Sequence, residues 1–335
     1  MKAVVLEKIG GAEELIFKEV LNPIAGAGEV VVKLKSAALN HRDVWIRLGQ
    51  YAGIKLPIIL GSDGAGIVES VGDEVDKNLI GQEIIIDPAT DWGNDEKCQS
   101  KNYKILGLPD DGTYAERVKI NAKNIFPKPN YLNFFEAGAL ALASLTAFRA
   151  TIKKANVKEN ENVLVTGIGG GVALAALQIA NSVGANVFVT SAHDGKIEKA
   201  KLHGAVAGAN YKNENYKLRL QSFVNENGFD VVIDGTGGKV FDDALDLLKP
   251  GGRLVIYGAT LGAAKDLQIR KIFWKQISIF GSTMGSVKDF SEMLNFFEAK
   301  KIHPVIDSIF QLKDAPLAHK KMEDGNQFGK IVLEI

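Results

Sequence analysis

Thr166-Gly167-Ile168-Gly169-Gly170-Gly171-Val172-Ala173 decides how the rest of this chain is read. The apolar run Val163-Leu164-Val165 precedes it, and Val172 to Val183 follows as an apolar stretch long enough for a helix that stops at Gly184. Backbone can approach a phosphate closely only where side chains are absent. A helix N-terminus offers unpaired N–H groups and partial positive charge to the same anion. Ala173 keeps close packing of helix on strand possible. The plain alternative is a tight strand-to-helix turn. Four glycines in five positions, set between a strand and a helix, favour a dinucleotide pyrophosphate held by Gly169, Gly170, Gly171 and Val172.

Downstream, Val187-Phe188-Val189, Val231-Val232-Ile233, Leu254-Val255-Ile256 and Ile277-Ser278-Ile279-Phe280 alternate with helical stretches such as Lys196 to His203, closed by Gly204. Fully apolar strands alternating with helices indicate a parallel sheet covered on both faces, so the expectation is an α/β, doubly wound domain over residues 126–284. Residues 1–125 read differently. Ala3 to Leu6, Glu29 to Leu34, Gly66 to Val71, Glu83 to Ile86 and Tyr114 to Ile120 are short apolar stretches broken by glycine and proline, the pattern of a compact β module. A last helix, Val287 to Lys300, carries Phe290, Leu294 and Phe297 on one face. With the tail it is placed back against the first module, which residues 285–335 would complete.

Forty basic against forty acidic side chains leave no electrostatic footprint for nucleic acid or an anionic membrane, so a small-molecule partner is expected. One cysteine, Cys98, makes no internal disulfide and no thiolate-rich zinc site. The 35 glycines, about one residue in ten, exceed the usual ~7%. The start, Met1 to Glu7, has four consecutive apolar residues, too few for a signal-peptide core, and no apolar run near the ~20 residues of a membrane span is visible. The expected setting is a reducing, cytoplasmic one.

The second strand ends Thr190-Ser191-Ala192, where an acidic residue would hold the ribose 2′-hydroxyl of NAD. Asp194 comes later and reads as the N-cap of the next helix. Ser191 with Lys196 would tolerate a 2′-phosphate, which favours NADP(H); for Lys196 a solvated helix face is the alternative.

Ala38-Leu39-Asn40-His41-Arg42-Asp43, Tyr51 to Pro57, Leu60-Gly61-Ser62-Asp63-Gly64-Ala65-Gly66, Asp111-Gly112-Thr113-Tyr114-Ala115-Glu116, Leu142-Ala143-Ser144-Leu145-Thr146-Ala147, the glycine turn and Gly251-Gly252-Arg253 together resemble the medium-chain dehydrogenase/reductase superfamily, on its quinone-oxidoreductase side, over essentially the whole length. The resemblance implies a GroES-like β-barrel catalytic domain with a Rossmann domain. It implies that a lysine and a tyrosine, here Lys196 and Tyr211, clamp the NADP 2′-phosphate; strand-end packing is the alternative for Tyr211. The zinc ligands of the alcohol dehydrogenase side are missing. Asn40 stands where a cysteine is usual, and Gly61-Ser62-Asp63 replaces Gly-His-Glu, so only Asp63 could bind a metal and no zinc is expected. The loop from about Pro88 to Gly112 keeps the length of a structural-zinc lobe with Cys98 alone. Trp92, Tyr103, Ile105 and Leu106 are its candidate anchors.

Without a Lewis acid, hydride addition to an already electrophilic quinone or α,β-unsaturated ketone is the expected chemistry. Asn40, Tyr51 and Asp63 are the candidate catalytic residues, with a turn-forming asparagine and loop packing as the plainer readings of the first two. Arg42 and Asp43 could pair with one another or with Asp63 to hold the cleft wall, but individually they read as a solvated pair. Thr146, Gly235, Gly258-Ala259-Thr260 and Ser282-Thr283 are expected along the cofactor, although a helix-start cap would also explain Thr146. Lys330 lies in a segment that resembles one folding over the cofactor. The strand Ile277 to Phe280 is a candidate for homodimer pairing. Two rival readings are an alcohol dehydrogenase with an atypical metal site and an NADP-binding sensor with little turnover.

Overall fold

The structure, a computed structural model, describes residues 1–225 and 227–335. Contacts divide the chain into two compact units, Met1–Leu145 with Gly285–Ile335, and Thr146–Met284.

In the second unit a wholly parallel sheet runs, in spatial order, Ala205–Asn210, Asn186–Ser191, Asn162–Val165, Phe229–Asp234, Leu248–Ile256 and Ser278–Gly281. In chain order that is 3-2-1-4-5-6, the doubly wound arrangement expected, and its switch point lies between Asn162–Val165 and Phe229–Asp234. The helix Gly171–Ser182 ends at Gly184, whose φ of +86° suits glycine. Strand Ala205–Asn210 escapes a reading by apolar runs, because AVAGAN mixes small and polar residues.

In the first unit, Glu29–Ala38 is the central strand of a curved sheet. It pairs with Asp63–Val71 on one side and, on the other, with Arg117–Asn121 along its first half and Lys330–Glu334 at its end. The C-terminal strand thus returns to the first module as expected. Helix Val287–Lys300 returns with it, burying Phe290, Leu294 and Phe297 and setting Phe290 against Phe126 at 4.9 Å between ring centroids.

The division between units falls at 145/146, not at 125/126. Strand Ile125–Pro127 pairs with Glu83–Ile86, and the start of helix Phe134–Phe148 is tied to the first unit: Ser36 Oγ donates to Phe134 O, and Gly138 closes on Ser36. That helix, with its π-helical continuation to Lys154, is long and apolar enough to cross a membrane. However, 78% of its apolar window is buried in the protein, which marks it as a core helix.

Candidate active site

Strand register assembles the polar centre of the first unit. Ala38 lies opposite Asp63 on one side and Val332 on the other. Two residues further along an antiparallel pair keep the same face, so Asn40 meets Lys330. The Lys330 ammonium donates to Leu39 O (2.7 Å), Asn40 Oδ1 (2.7 Å) and Asp63 Oδ2 (2.8 Å). Asn40 Nδ2 donates to the same Asp63 oxygen at 2.9 Å, and the Leu142 N–H donates to Asp63 Oδ1 at 2.7 Å. Lys330 is 5% exposed and Asp63 not at all. Buried charges of this kind persist only when paired and hydrogen-bonded.

Arg42 and Asp43 are not a solvated pair. Asp43 is fully buried at the start of helix His41–Arg47, accepting from the Asn40 N–H (2.9 Å) and the Tyr114 hydroxyl (3.0 Å). Burial raises its carboxyl above the ordinary range, against the opposing pull of Arg42. Burial, reinforced by Asp43, raises the Tyr114 phenol as well. Arg42 Nη1 donates to Ser62 Oγ (2.7 Å) and Leu106 O (2.9 Å), and its guanidinium lies 5.2 Å from the centroid of the Tyr51 ring. Four buried charges therefore balance: Asp43 and Asp63 against Arg42 and Lys330. Asn40 keeps one amide hydrogen beyond its bond to Asp63. Tyr51 lies half-buried with its phenol making no hydrogen bond among the described residues.

At the position where the resemblance would put a catalytic zinc, the donors do not fit one. An amide and a hydroxyl stand in for thiolate and imidazole, and both Asp63 oxygens are occupied, one of them by an ammonium. The 88–112 loop is held by apolar packing. Ala89–Thr90 pairs with Lys104–Ile105, Trp92 and Leu106 are buried, and Trp92 meets Tyr103 edge-on at 5.3 Å.

In the second unit the glycine turn has the conformation that requires glycine, with φ of +65° at Gly167 and +123° at Gly169. Gly170 is the N-cap of helix Gly171–Ser182, leaving the first-turn N–H groups without intrahelical partners. A Cβ on Gly170 would meet open space, whereas one on Gly169 would come within 3.1 Å of Lys196 Nζ. Lys196 thus lies over the turn. Register sets Ser191 opposite Asn210, and the Tyr211 N–H donates to Ser191 O at 3.0 Å. The structure therefore brings Gly169, Ser191, Lys196 and Tyr211 to one end of the sheet. Asp194 is the first residue of its helix, not the cap, and its carboxylate accepts from the Asn210 amide at 3.3 Å.

Across the switch point stands a second glycine turn, Asp234-Gly235-Thr236-Gly237-Gly238, of which the sequence reading picked out only Gly235. Asp234 is buried, and burial raises its carboxyl; it accepts from the Thr166 hydroxyl and the N–H groups of Thr236 (2.9 Å) and Gly237 (3.1 Å). Gly258, Ala259 and Thr260 close on this turn, with the Leu261 N–H donating to Thr236 O at 2.8 Å. The signal that would have found it is an acidic residue followed by G-x-G-G at a strand end. Ser282 Oγ is buried without a partner among the described residues, and Thr283 follows it at the end of the last strand. Thr146 lies inside helix Phe134–Phe148, not at its start, with its hydroxyl 3.7 Å from Met284 Sδ. An open glycine cradle and an orphaned hydroxyl at strand ends fit a dinucleotide.

Residues 26–130 match the alcohol dehydrogenase GroES-like domain family and residues 171–299 the zinc-binding dehydrogenase family. A solved NAD-dependent alcohol dehydrogenase is 38% identical with a TM-score of 0.95, both chains being covered in full. The chain belongs to the medium-chain dehydrogenase/reductase superfamily. Among other members of the superfamily, the quinone oxidoreductase of Mus musculus is 30% identical over 99% of this chain and 97% of its own. The acryloyl-coenzyme A reductase of Sulfurisphaera tokodaii is 29% identical over the full length of both. The protein is accordingly an oxidoreductase by family.

Proposed function

We propose that this medium-chain dehydrogenase/reductase transfers hydride from NADPH to a quinone or an α,β-unsaturated carbonyl without a catalytic zinc. The observation that carries the reading is the Lys330 ammonium bonded to Asp63 and Asn40. This buried ammonium is spent on a protein carboxylate and is not available to polarise a simple alcohol or ketone. The acceptor must then delocalise the incoming charge itself, as a conjugated carbonyl does. NADPH, when bound, supplies the hydride; the β-carbon of an enone gains it, the π electrons move to the carbonyl oxygen, and a proton from solvent completes the product.

The chain's own part is binding and orientation. The free N–H groups after Gly170 receive pyrophosphate oxygens, and Lys196 with Tyr211 receives the 2′-phosphate, for which no carboxylate at the end of Asn186–Ser191 competes. The second hydrogen of Asn40 Nδ2 and the Tyr51 phenol are the donors offered to a developing enolate. Steady-state NADPH oxidation against a panel of quinones, enones and simple ketones tests the reading. Turnover confined to conjugated acceptors and unaffected by chelator is expected. Stoichiometric zinc in protein purified without chelator, with chelator-sensitive alcohol oxidation, would replace it with an alcohol dehydrogenase. Tight NADPH binding with no turnover of any acceptor would favour a sensor. The protein is further proposed to work as a homodimer in the cytoplasm, with a small molecule and neither nucleic acid nor membrane as its partner.

A further inference from the structure

The first unit holds a cavity of about 1210 Å³ that opens beside Arg42 and Tyr51, between the 88–112 loop and the start of helix Val287–Lys300. Ligand sites usually span roughly 300–1,000 Å³, so a bare quinone or enone would leave much of this one unfilled. Its charge is lopsided in a chain that is neutral as a whole: six cationic side chains line it against two carboxylates. Both carboxylates are already engaged, Asp91 with Lys123 at 3.6 Å and Glu96 with the Ser286 hydroxyl at 2.6 Å. Lys104 is paired with Asp110. Lys55, Lys101 and Lys288 remain, exposed and with no carboxylate partner among the described residues.

We propose that this cavity receives the phosphate-bearing nucleotide arm of the substrate, making the acceptor an α,β-unsaturated thioester carried on coenzyme A. The inference rests on the conjugated-carbonyl reading above and adds the handle. Three unpaired ammonium groups around one concavity match clustered phosphates, and ammonium ions bind phosphate as adaptable point charges. Arg42 and Tyr51 line the same cavity, and Arg42 Nη1 bonds Ser62, the residue before Asp63. A ligand arm at the lysines is therefore continuous, within this unit, with the neighbourhood of the proposed donors.

The experiment compares kcat/KM for crotonyl-coenzyme A and for its N-acetylcysteamine thioester, which has the same reacting group and no phosphate. It uses the wild type and the triple variant Lys55→Gln/Lys101→Gln/Lys288→Gln. At about threefold per exposed lysine–phosphate contact, the wild type is expected to favour the coenzyme A thioester by about 30-fold, chiefly in KM, and the triple variant to lose that preference. The wild-type preference is also expected to shrink as salt rises. Equal kcat/KM for the two thioesters in the wild type, or an undiminished preference in the variant, would overturn the proposal while leaving conjugated-carbonyl reduction intact. If no acceptor is turned over, that reading fails by itself. Binding of the unreactive butyryl-coenzyme A then decides the handle: saturable binding weakened at least tenfold in the variant sustains it, and absence of binding overturns it.

Discussion

Removing the ammonium of Lys330 tests the central claim about the first unit. Lys330→Met keeps most of the side-chain volume and deletes a charge that donates three hydrogen bonds of 2.7 to 2.8 Å. The residue left behind is Asp63, fully buried, with its Oδ1 still held by the Leu142 N–H but its charge uncompensated in the neighbourhood of a second buried carboxylate, Asp43. Breaking a buried ion pair on one side costs about 3–5 kcal/mol, a large share of the ~5–15 kcal/mol that holds a domain folded. Asp63→Asn strands the cation instead and carries a cost of the same order. Lys330→Met/Asp63→Asn strands neither, so the double variant is expected to recover much of the loss, with a coupling energy of about 2–3 kcal/mol. Urea unfolding followed by tryptophan fluorescence reads this unit selectively. Trp45 and Trp92 belong to it and Trp92 is buried, whereas Trp274, in the other unit, is already 79% exposed. A Lys330→Met protein within 1 kcal/mol of the wild type, or a double variant as unstable as the sum of the singles, would refute the argument that this cluster is a closed, charge-balanced group.

Replacing Lys196 and Tyr211 together (Lys196→Ala/Tyr211→Phe) should weaken NADPH at least tenfold more than NADH in fluorescence titration; equal losses for the two cofactors would sink the 2′-phosphate assignment. His319, buried against Arg47 and Tyr114, has its pKa lowered to about 3 from 6.5 by burial, with Arg47 adding to the effect. Its contribution to stability is therefore complete above pH 6.5 and is lost as pH falls toward 3. The wild type should lose about 2–3 kcal/mol more than His319→Gln between pH 6 and pH 4 in urea titrations; parallel pH profiles would contradict it. Strand Ser278–Gly281 has one free edge, and Phe273 and Trp274 beside it are 63% and 79% exposed. Light scattering should show a dimer that Ile279→Lys/Trp274→Glu converts to monomer, and a monomeric wild type would dispose of edge pairing.

What was legible in the sequence followed the range of the interaction concerned. The glycine turn announced itself because the backbone angles at Gly167 and Gly169 restrict the residue type locally. The parallel strands did so because burial on both faces leaves nothing but apolar residues to read. Strand Ala205–Asn210 offered neither signal. Asn40 and Asp63 were recognisable as members of motifs, but their partner was not, since Lys330 lies 267 residues from Asp63 and meets it only through strand register. Arg42 and Asp43 looked solvated for the same reason: two adjacent charges carry no information about the hydroxyls and carbonyls that tertiary structure brings to them. The domain boundary slipped by twenty residues because the ties from Ser36 to Phe134 and from Asp63 to Leu142 cross about 80 to 100 positions that no periodicity connects.

The same register has a chemical consequence. A lysine two residues before Val332 and an asparagine two residues after Ala38 face each other whatever else the unit contains, because both strands keep period two. Once a long cationic side chain occupies that place, the carboxylate of Asp63 has its counter-ion and the amide oxygen of Asn40 its donor. All three ammonium hydrogens of Lys330 are spent, and the one donor hydrogen this trio leaves over among the described residues is the second Asn40 amide hydrogen. A group that can only donate is of use to a substrate that develops negative charge on oxygen, and of none to one that must first lose a hydroxyl proton. The direction of chemistry proposed for this protein thus follows from hydrogen-bond polarity at Asn40. Replacing that residue by aspartate, which inverts the polarity at nearly constant shape, should depress reduction of a conjugated acceptor by about 10²-fold or more in kcat while leaving NADPH binding within a few-fold. A variant that retained kcat would place the donor elsewhere.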